Sequence, residues 1–320
     1  MLDVSIIVVA HNDERDVPVS VTSALAQRGV STETLVVDND SRDGSCSAAR
    51  NAGEAVRLLE LSENLGFAAA MNLGIRESRG RYVLALNPDC RLEPDFAATL
   101  AARLDRLPDV GSASGRVLRG RGADLAATGE IDSAGIYRTV TGRHFDRGSG
   151  EAADGRYLTE EEIFGTSGAA GFYRREALES AKIATGFFDS DFFLYREDAD
   201  LAWRLQNLGW KCLYVPEAIA YHRRRNLPER RRRMSPLVNY HSVKNRFLLR
   251  INNQPPLEFA GTLLPTLARD LVVLGACLTI EHSSLPAFGW LWKNRKRLWA
   301  KRQEIQEKTR TRRVSTRTAS

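Results

Sequence analysis

Four acidic residues stand in the stretch DFFLYREDADLAWRL at 191–205: Asp191, Glu197, Asp198 and Asp200, set among Phe192, Phe193, Tyr195 and Trp203. Carboxylates in apolar surroundings are costly unless they are paired, so this pattern implies either helix capping or chemistry. A helix starting near Glu197 puts Asp198, Leu201, Ala202, Leu205 and Leu208 on one face. Asp198 is then a first-turn acid on the buried stripe, aimed at a crevice. The helix N-terminus and a nearby cation favour its ionised form there. An ionised carboxylate held against a hydroxyl can act as a general base. Asp200 and Arg204, four residues apart, fall on another face as an ordinary helix pair.

Three more polar clusters end strand-like runs. VSIIVVA (4–10) leads into His11, Asn12, Asp13 and Glu14; TLVVDND (34–40) ends in Asp38, Asn39 and Asp40; RYVLALNPD (81–89) ends in Asn87, Pro88 and Asp89. Carboxyl ends of parallel strands are the ligand positions of open α/β sheets, and three from one sheet converge on one crevice. No GxGxxG follows the first run and no GxxxxGK[ST] occurs. An acid-lined crevice without a phosphate-cradling loop points to carboxylates that hold a divalent cation, which in turn holds phosphates.

The elements that must position these residues alternate up to residue 118. Strands are expected at 4–10, 34–40, 55–61, 81–89 and 110–118, with helices at 17–28, 66–78 and 93–107, which gives a βαβ sheet. Residues 119–157, rich in Gly, Arg and Asp, read as a long surface insertion. A Gly-rich turn, short strand and helix follow at 165–181. A helix at 196–209 is stopped by Gly209, and 210–222 is extended. Beyond residue 222 lie a basic loop at 223–234, a helical extension at 235–308 and a basic tail at 309–320 expected to be disordered.

Hydrophobic content of 43% and charged content of 27% over 320 residues allow a packed core and exclude global disorder. The four cysteines form no CxxC pair, which argues against a disulfide framework or zinc site and fits a reducing cytoplasm. The first residues do not read as a signal peptide. The uninterrupted apolar part of the late stretch, 271–280, is short against the roughly 20 residues of a span, so no transmembrane helix is expected. The formal charge of +6 is uneven. Residues 223–233 hold seven Arg against one Glu, and 291–320 hold eleven Lys or Arg against two Glu. Such clusters favour phosphates, anionic lipid or nucleic acid, yet no RNP, KH or zinc-finger pattern accompanies them, so nucleic acid is not an expected partner.

The motifs VSIIVVAHND, LVVDNDSRDGS, NLGFAAAMNLGI, YVLALNPDC, GAAGFYRREAL, FFDSDFFLYREDADLAWRL and YVPEAIAYH, in this order over about residues 4–222, resemble those of the family-2 glycosyltransferases. The wording ENLGFAAAMNLGI…LNPD is similar to the rhamnosyltransferase-like branch, and 236–310 resembles the tail of some members. The resemblance implies a GT-A fold: a Rossmann-like mixed α/β sheet flanked by helices, with a C-terminal helical extension. It implies inverting transfer from a nucleotide-sugar donor, dTDP-L-rhamnose by preference, to a glycan or lipid-linked glycan of a surface polysaccharide, with Mg²⁺ or Mn²⁺ as cofactor. Asp198 would be the base. The donor would meet Ala10, Asn12, Glu14, Asp38, Asn39, Asn64, Gly66, Asn72, Asn87 and Asp89, with Asp38 receiving the pyrimidine base. Gly168, Ala169, Asp191 and Glu197 would border the acceptor, and Asp89 and His222 would bind the metal. Asn87 departs from the family's DxD motif, a neutral amide in place of the first acid.

Two rival readings are weaker. A sugar-nucleotide nucleotidyltransferase would carry a Gly-rich, basic signature near the first strand, which AHNDERDVP lacks. A non-catalytic nucleic-acid-binding protein would rest on the basic loop and tail alone. Leu263, Leu267, Leu271 and Leu274 recur at helical spacing, with Lys293, Arg295, Lys296, Arg297, Lys301 and Arg302 following. Apolar face plus cationic cluster is the composition of an interfacial helix, so contact with the anionic inner leaflet is expected. Packing on the catalytic domain or in a homodimer is the alternative.

Overall fold

A computed structural model describes residues 2–224 and 235–318. The run VSIIVVA forms β1 (Val4–Ala10), buried at every position, as a central strand covered on both faces must be. It pairs in parallel with β2 (Thr32–Asp38) on one side and with β4 (Tyr82–Leu86) on the other, and β3 (Val56–Glu60) extends the sheet beyond β2. Helices α1 (Val17–Leu25), α2 (Ser45–Asn51), α3 (Phe67–Glu77) and α4 (Phe96–Arg106) connect or flank these strands. Side chains alternate as the pleat requires. Ile6 and Val8 join the layer of Val21 and Leu100, whereas Ile7 and Val9 join that of Met71, Ile75, Leu201 and Leu205.

The second half adds β5 (Cys90–Leu92), β6 (Val110–Arg121), β7 (Ala126–Ser133), the ribbon β8 (Ile136–Arg138) and β9 (His144–Asp146), β10 (Glu161–Ile163), β11 (Ala170–Arg174), α5 (Arg175–Ala181), α6 (Glu197–Asn207) and β12 (Lys211–His222). The main sheet runs β10-β12-β6-β11-β4-β1-β2-β3, with β5 on β12 and β7 on β6. Strand β11 lies antiparallel between β4 and β6, so the sheet is mixed. Its register, Ala170 opposite Leu86, brings the turn before β11 to the edge where β4 ends. Likewise β5 sets Cys90 opposite His222, which places Asp89 beside the end of β12.

Two expectations change here. The segment 119–157 is more than a surface loop: β7 joins the main sheet, and Ile131, Asp132, Ser133, Ala134 and Ile136 are buried. Its Gly and Arg content masks a strand that pairs with the lengthened β6. The tail expected to be disordered from 309 continues a helix. The C-terminal extension forms α7 (Pro236–Asn253), α8 (Pro256–Gly261), α9 (Leu263–Thr279) and α10 (Pro286–Thr318), and its Gln, Glu and Lys residues at 303–308 are good helix formers. Most of the basic loop, 225–234, lies outside the described residues, as do 319 and 320.

The extension covers the face of α6 that the sheet leaves open, through Ala199, Trp203, Leu248, Leu249 and Leu298. Asp200 and Arg204 are therefore no solvated pair. They are 0% and 2% exposed. Arg204 Nε donates to Asp200 Oδ2 at 2.8 Å and Nη2 to Phe187 O at 2.7 Å, while Asn253 Nδ2 donates to Asp200 Oδ1 at 2.7 Å. Removing one partner strands the other charge, which costs about 3–5 kcal/mol. Arg204→Ala is accordingly expected to lower the unfolding free energy by that order, measured by urea titration; a value within error of the wild type would remove the pair from the account of stability.

Candidate active site

Asp198 opens α6 behind a backbone that few residues tolerate. Phe193, Tyr195 and Arg196 have φ of 64°, 64° and 75°, a left-handed conformation that costs about 1–3 kcal/mol each. Helix α7 holds this segment. Asn245 Nδ2 lies 2.9, 2.8 and 2.8 Å from the carbonyl oxygens of Phe192, Leu194 and Tyr195. Phe193 stacks on His241, with ring centroids 5.0 Å apart, and packs against Gly66, whose φ of 81° and lack of a Cβ admit the ring. Gly66, expected at the donor, thus shapes the entry to α6. Asn245→Ala is expected to lower the transfer rate about 10²-fold, because displacements of about 1 Å cost that much; nucleotide affinity should hold. Equal losses in rate and affinity would make Asn245 a general stability residue.

The Asp198 carboxylate accepts from Gly168 N at 3.0 Å and from Ala199 N at 2.7 Å. A Cβ on Gly168 would come within 3.2 Å of Oδ2, so the glycine serves the carboxylate's approach. Burial raises the Asp198 pKa to about 6, and the charge of Asp146 adds to the rise while the two N–H groups oppose it. The expected ionising influence of the helix start is therefore outweighed by desolvation. Burial and the Asp198 charge push neighbouring Glu197 higher, to about 8. Near neutrality Glu197 keeps its proton and Asp198 is the charged member. Glu197 Oε2 is buried without a hydrogen-bond partner.

A second pair forms where β5 and β12 meet. His222 Nε2 lies 3.1 Å from Asp89 Oδ1, and His222 Nδ1 lies 2.8 Å from Asp132 Oδ2. Burial pulls the imidazole pKa down, but the two carboxylates outweigh it and push it up to about 10. Burial pushes the Asp89 carboxyl up, and His222 more than reverses that. Asp89 and His222 thus meet directly as an ion pair; a divalent cation would fit between them only once His222 gives up its Nε2 proton, with Asp132 then orienting the imidazole from behind. Among the described residues no group of three or more His, Cys, Asp or Glu is arranged to hold an ion. The rest of a coordination shell would come from phosphates and water, as is usual for Mg²⁺.

Two contacts link these centres. Asn87 N donates to Ala169 O at 2.9 Å, next to the Gly168 that holds Asp198. Arg224 Nε lies 3.0 Å from Asp132 Oδ1, and its Nη2 pairs with Asp146. At the end of β2, Asp38 is 3% exposed; its Oδ2 accepts from Ser41 N at 3.0 Å, and its Oδ1 is buried without a partner. An orphaned buried oxygen is an invitation to a ligand N–H. Ala10 O accepts from Asn39 N at 2.8 Å, and Asn39 Nδ2 donates to Asn64 Oδ1 at 2.9 Å, so these three tie the ends of β1 and β2 to the loop before α3. Asn12, with φ of 58°, and Glu14 line a neighbouring cavity of about 350 Å³ together with Asp13, Asp16, Asp43 and Arg223.

Other expected site residues have different work. Asn72 Nδ2 donates to Phe188 O at 2.7 Å and its Oδ1 accepts from Phe188 N at 2.8 Å, so it pins the loop before α6 instead of facing the donor. Asp191 pairs with Lys301 and with Arg297 Nη1 at 2.7 Å, both from α10, which replaces the expected acceptor contact. Gly165, which begins the Gly-rich turn before β11, lies against α6, where a Cβ would come within 2.4 Å of the Ala202 Cβ, so it serves packing. Asp132, Asp146, Arg224 and Asn245 had no place among the expected residues. The run EIDSAGI around Asp132, with apolar residues between polar ones, is the one sequence signal that could have exposed a strand there.

The chain matches the profile Glycosyl transferase family 2 over residues 5–181. It belongs to that family. The match decides for a glycosyl transferase over the nucleotidyltransferase and nucleic-acid readings. An N-acetylglucosaminyl-diphospho-decaprenol L-rhamnosyltransferase of Mycobacterium tuberculosis is 29% identical over 218 residues, 62% of this chain and 70% of that one. Succinoglycan biosynthesis protein ExoO of Rhizobium meliloti is 36% identical over 126 residues, 37% of this chain and 36% of that one. Two solved structures show the GT-A fold. GalNAc-T7 with UDP, GalNAc and Mn²⁺ superposes with a TM-score of 0.58 at 14% identity, over 79% of this chain and 49% of its own. The mannosyltransferase PcManGT from Pyrobaculum calidifontis, with GDP-Man and Mn²⁺, gives 0.51 at 20% identity, over 97% and 86%. This family-2 chain thus spans about half the length of the first of these structures and most of the second.

Proposed function

We propose that this family-2 glycosyltransferase moves a sugar, by preference L-rhamnose from dTDP-L-rhamnose, onto a lipid-linked glycan by a single inverting displacement that requires a divalent cation. The observation that carries the reading is the joining of two carboxylate centres, Asp198 on Gly168 and Asp89 on His222, through the Asn87–Ala169 backbone bond. Asp38 Oδ1 receives an N–H of the pyrimidine. Asp89 and a deprotonated His222 would hold the cation, which would supply neutralisation of the departing diphosphate's charge. Asp198, ionised at pH 7 and held by Gly168, takes the proton of the attacking acceptor hydroxyl. Glu197, protonated beside it, keeps a second negative charge out of the site. The relative from Mycobacterium tuberculosis supports the choice of sugar and of a lipid-linked acceptor.

A panel of labelled nucleotide sugars, incubated with Mn²⁺ and polyprenyl-diphosphate-linked N-acetylglucosamine, tests the assignment. Label should move to the lipid from dTDP-L-rhamnose ahead of UDP- and GDP-sugars. Transfer from another donor alone would correct the sugar; transfer from none would refute the activity on this acceptor.

A further inference from the structure

The outer side of the C-terminal extension is apolar where a solvated surface is ordinarily charged. On α8 and α9, Leu257 is 90% exposed, Leu264 79%, Leu271 68% and Val272 72%, and Ile280 just past α9 is 65% exposed. Only Thr266 and Cys277 of α9 are buried. The acid of the helix is drawn inward, since Asp270 accepts from Arg250 Nη2 of α7 at 2.6 Å. The ten residues 271–280 that follow carry no charge. The chain then bends by 115° into α10, where Trp292 and Trp299 are 69% and 60% exposed and Lys293, Arg295 and Lys296 are all exposed. Arg295 lies over the Trp292 ring at 4.3 Å.

We propose that this face docks the enzyme on an anionic lipid bilayer, with α9 lying flat in the interface. The charge pattern favours a bilayer over a second copy. A second copy would offer Lys293, Arg295 and Lys296 few free acids on this face, since Asp270 and Glu258 are already paired with Arg250 and Arg138, whereas anionic headgroups complement them. Exposed tryptophans beside an apolar helix and a cationic cluster match the layered polarity of a membrane surface. No single helix among the described residues is long and apolar enough to cross a membrane, and the Asp270–Arg250 tie keeps α9 against the protein. The docking does not depend on the sugar-transfer reading. Its use does, because a lipid-linked acceptor lies in the surface to which the enzyme would be held.

Co-sedimentation of the full chain with vesicles tests this separately from activity. Protein should bind vesicles of phosphatidylglycerol and phosphatidylcholine at low salt, bind phosphatidylcholine alone far less, and leave the anionic vesicles at high salt. Leu271→Glu with Val272→Glu should weaken binding more than tenfold. Lys293→Gln, Arg295→Gln and Lys296→Gln together should weaken it about a hundredfold. All five side chains are exposed, so melting temperature and nucleoside diphosphate affinity should match the wild type. Failure to bind anionic vesicles, or binding untouched by the two Glu substitutions, overturns the proposal. So does a dimer, seen by sedimentation velocity without lipid, that those substitutions turn to monomer.

Discussion

Asp198→Asn is expected to leave a folded protein that binds nucleotide and cation normally and transfers sugar about 10²–10⁴-fold more slowly. The amide matches the carboxylate in shape and can keep its oxygen on Gly168 N, losing only the Ala199 N–H contact, so the fold survives while the proton acceptor is lost. The same assignment fixes a pH dependence. Asp198 works only when ionised, and burial has raised its pKa to about 6. The wild-type rate should therefore fall as pH drops through about 6. Glu197, at about 8, should keep its proton over that range. The two acids are neighbours, so the limb reports the pair. The Asn variant should lose this limb. Single-turnover rates between pH 5 and 8 decide it; an Asp198→Asn enzyme at the wild-type rate, or one that keeps the limb, assigns the base elsewhere.

Asp89→Ala should weaken nucleoside diphosphate binding in the presence of Mn²⁺ by more than a hundredfold. Loss of an outer partner of a metal ligand already costs about 10–100-fold, which is the range expected for Asp132→Asn through His222. Removal of Asp89 would take away one of the two proposed protein donors outright. With so few protein donors, Mn²⁺ alone should bind weakly, and Mn²⁺ and nucleoside diphosphate should each tighten the other by the same factor. Calorimetry in excess chelator is the check. Full affinity there would mean that cationic side chains near the crevice, such as Arg223 and Arg224, hold the phosphates without a metal.

The legible parts of this chain were those written in local patterns. The run VSIIVVA announces a central strand, and the polar residues after β1, β2 and β4 announce a crevice at their ends. The period of α6 grouped Asp198 with Leu201, Ala202 and Leu205, whereas the fold leaves Asp198 half-buried and buries its neighbours Glu197, Ala199 and Asp200. What stayed hidden depends on residues far apart in sequence. Asp132 lies 90 positions from His222, inside a Gly- and Arg-rich stretch whose strand character comes from pairing with β6. Asn72 looks like a donor residue within its motif, yet its amide meets Phe188, 116 positions away. Asp200 and Arg204 pass for a solvated pair until α7 is laid over them. The rise in the Asp198 pKa has the same origin, since burial depends on the whole fold while helix position is local.

The anomeric configuration of the product, read by NMR from a transfer catalysed by the wild-type enzyme, bears most directly on the proposed displacement. Asp198 acting as base on the acceptor hydroxyl requires one in-line attack and so inversion relative to the donor. A product with retained configuration would contradict that role and the single-step mechanism built on it.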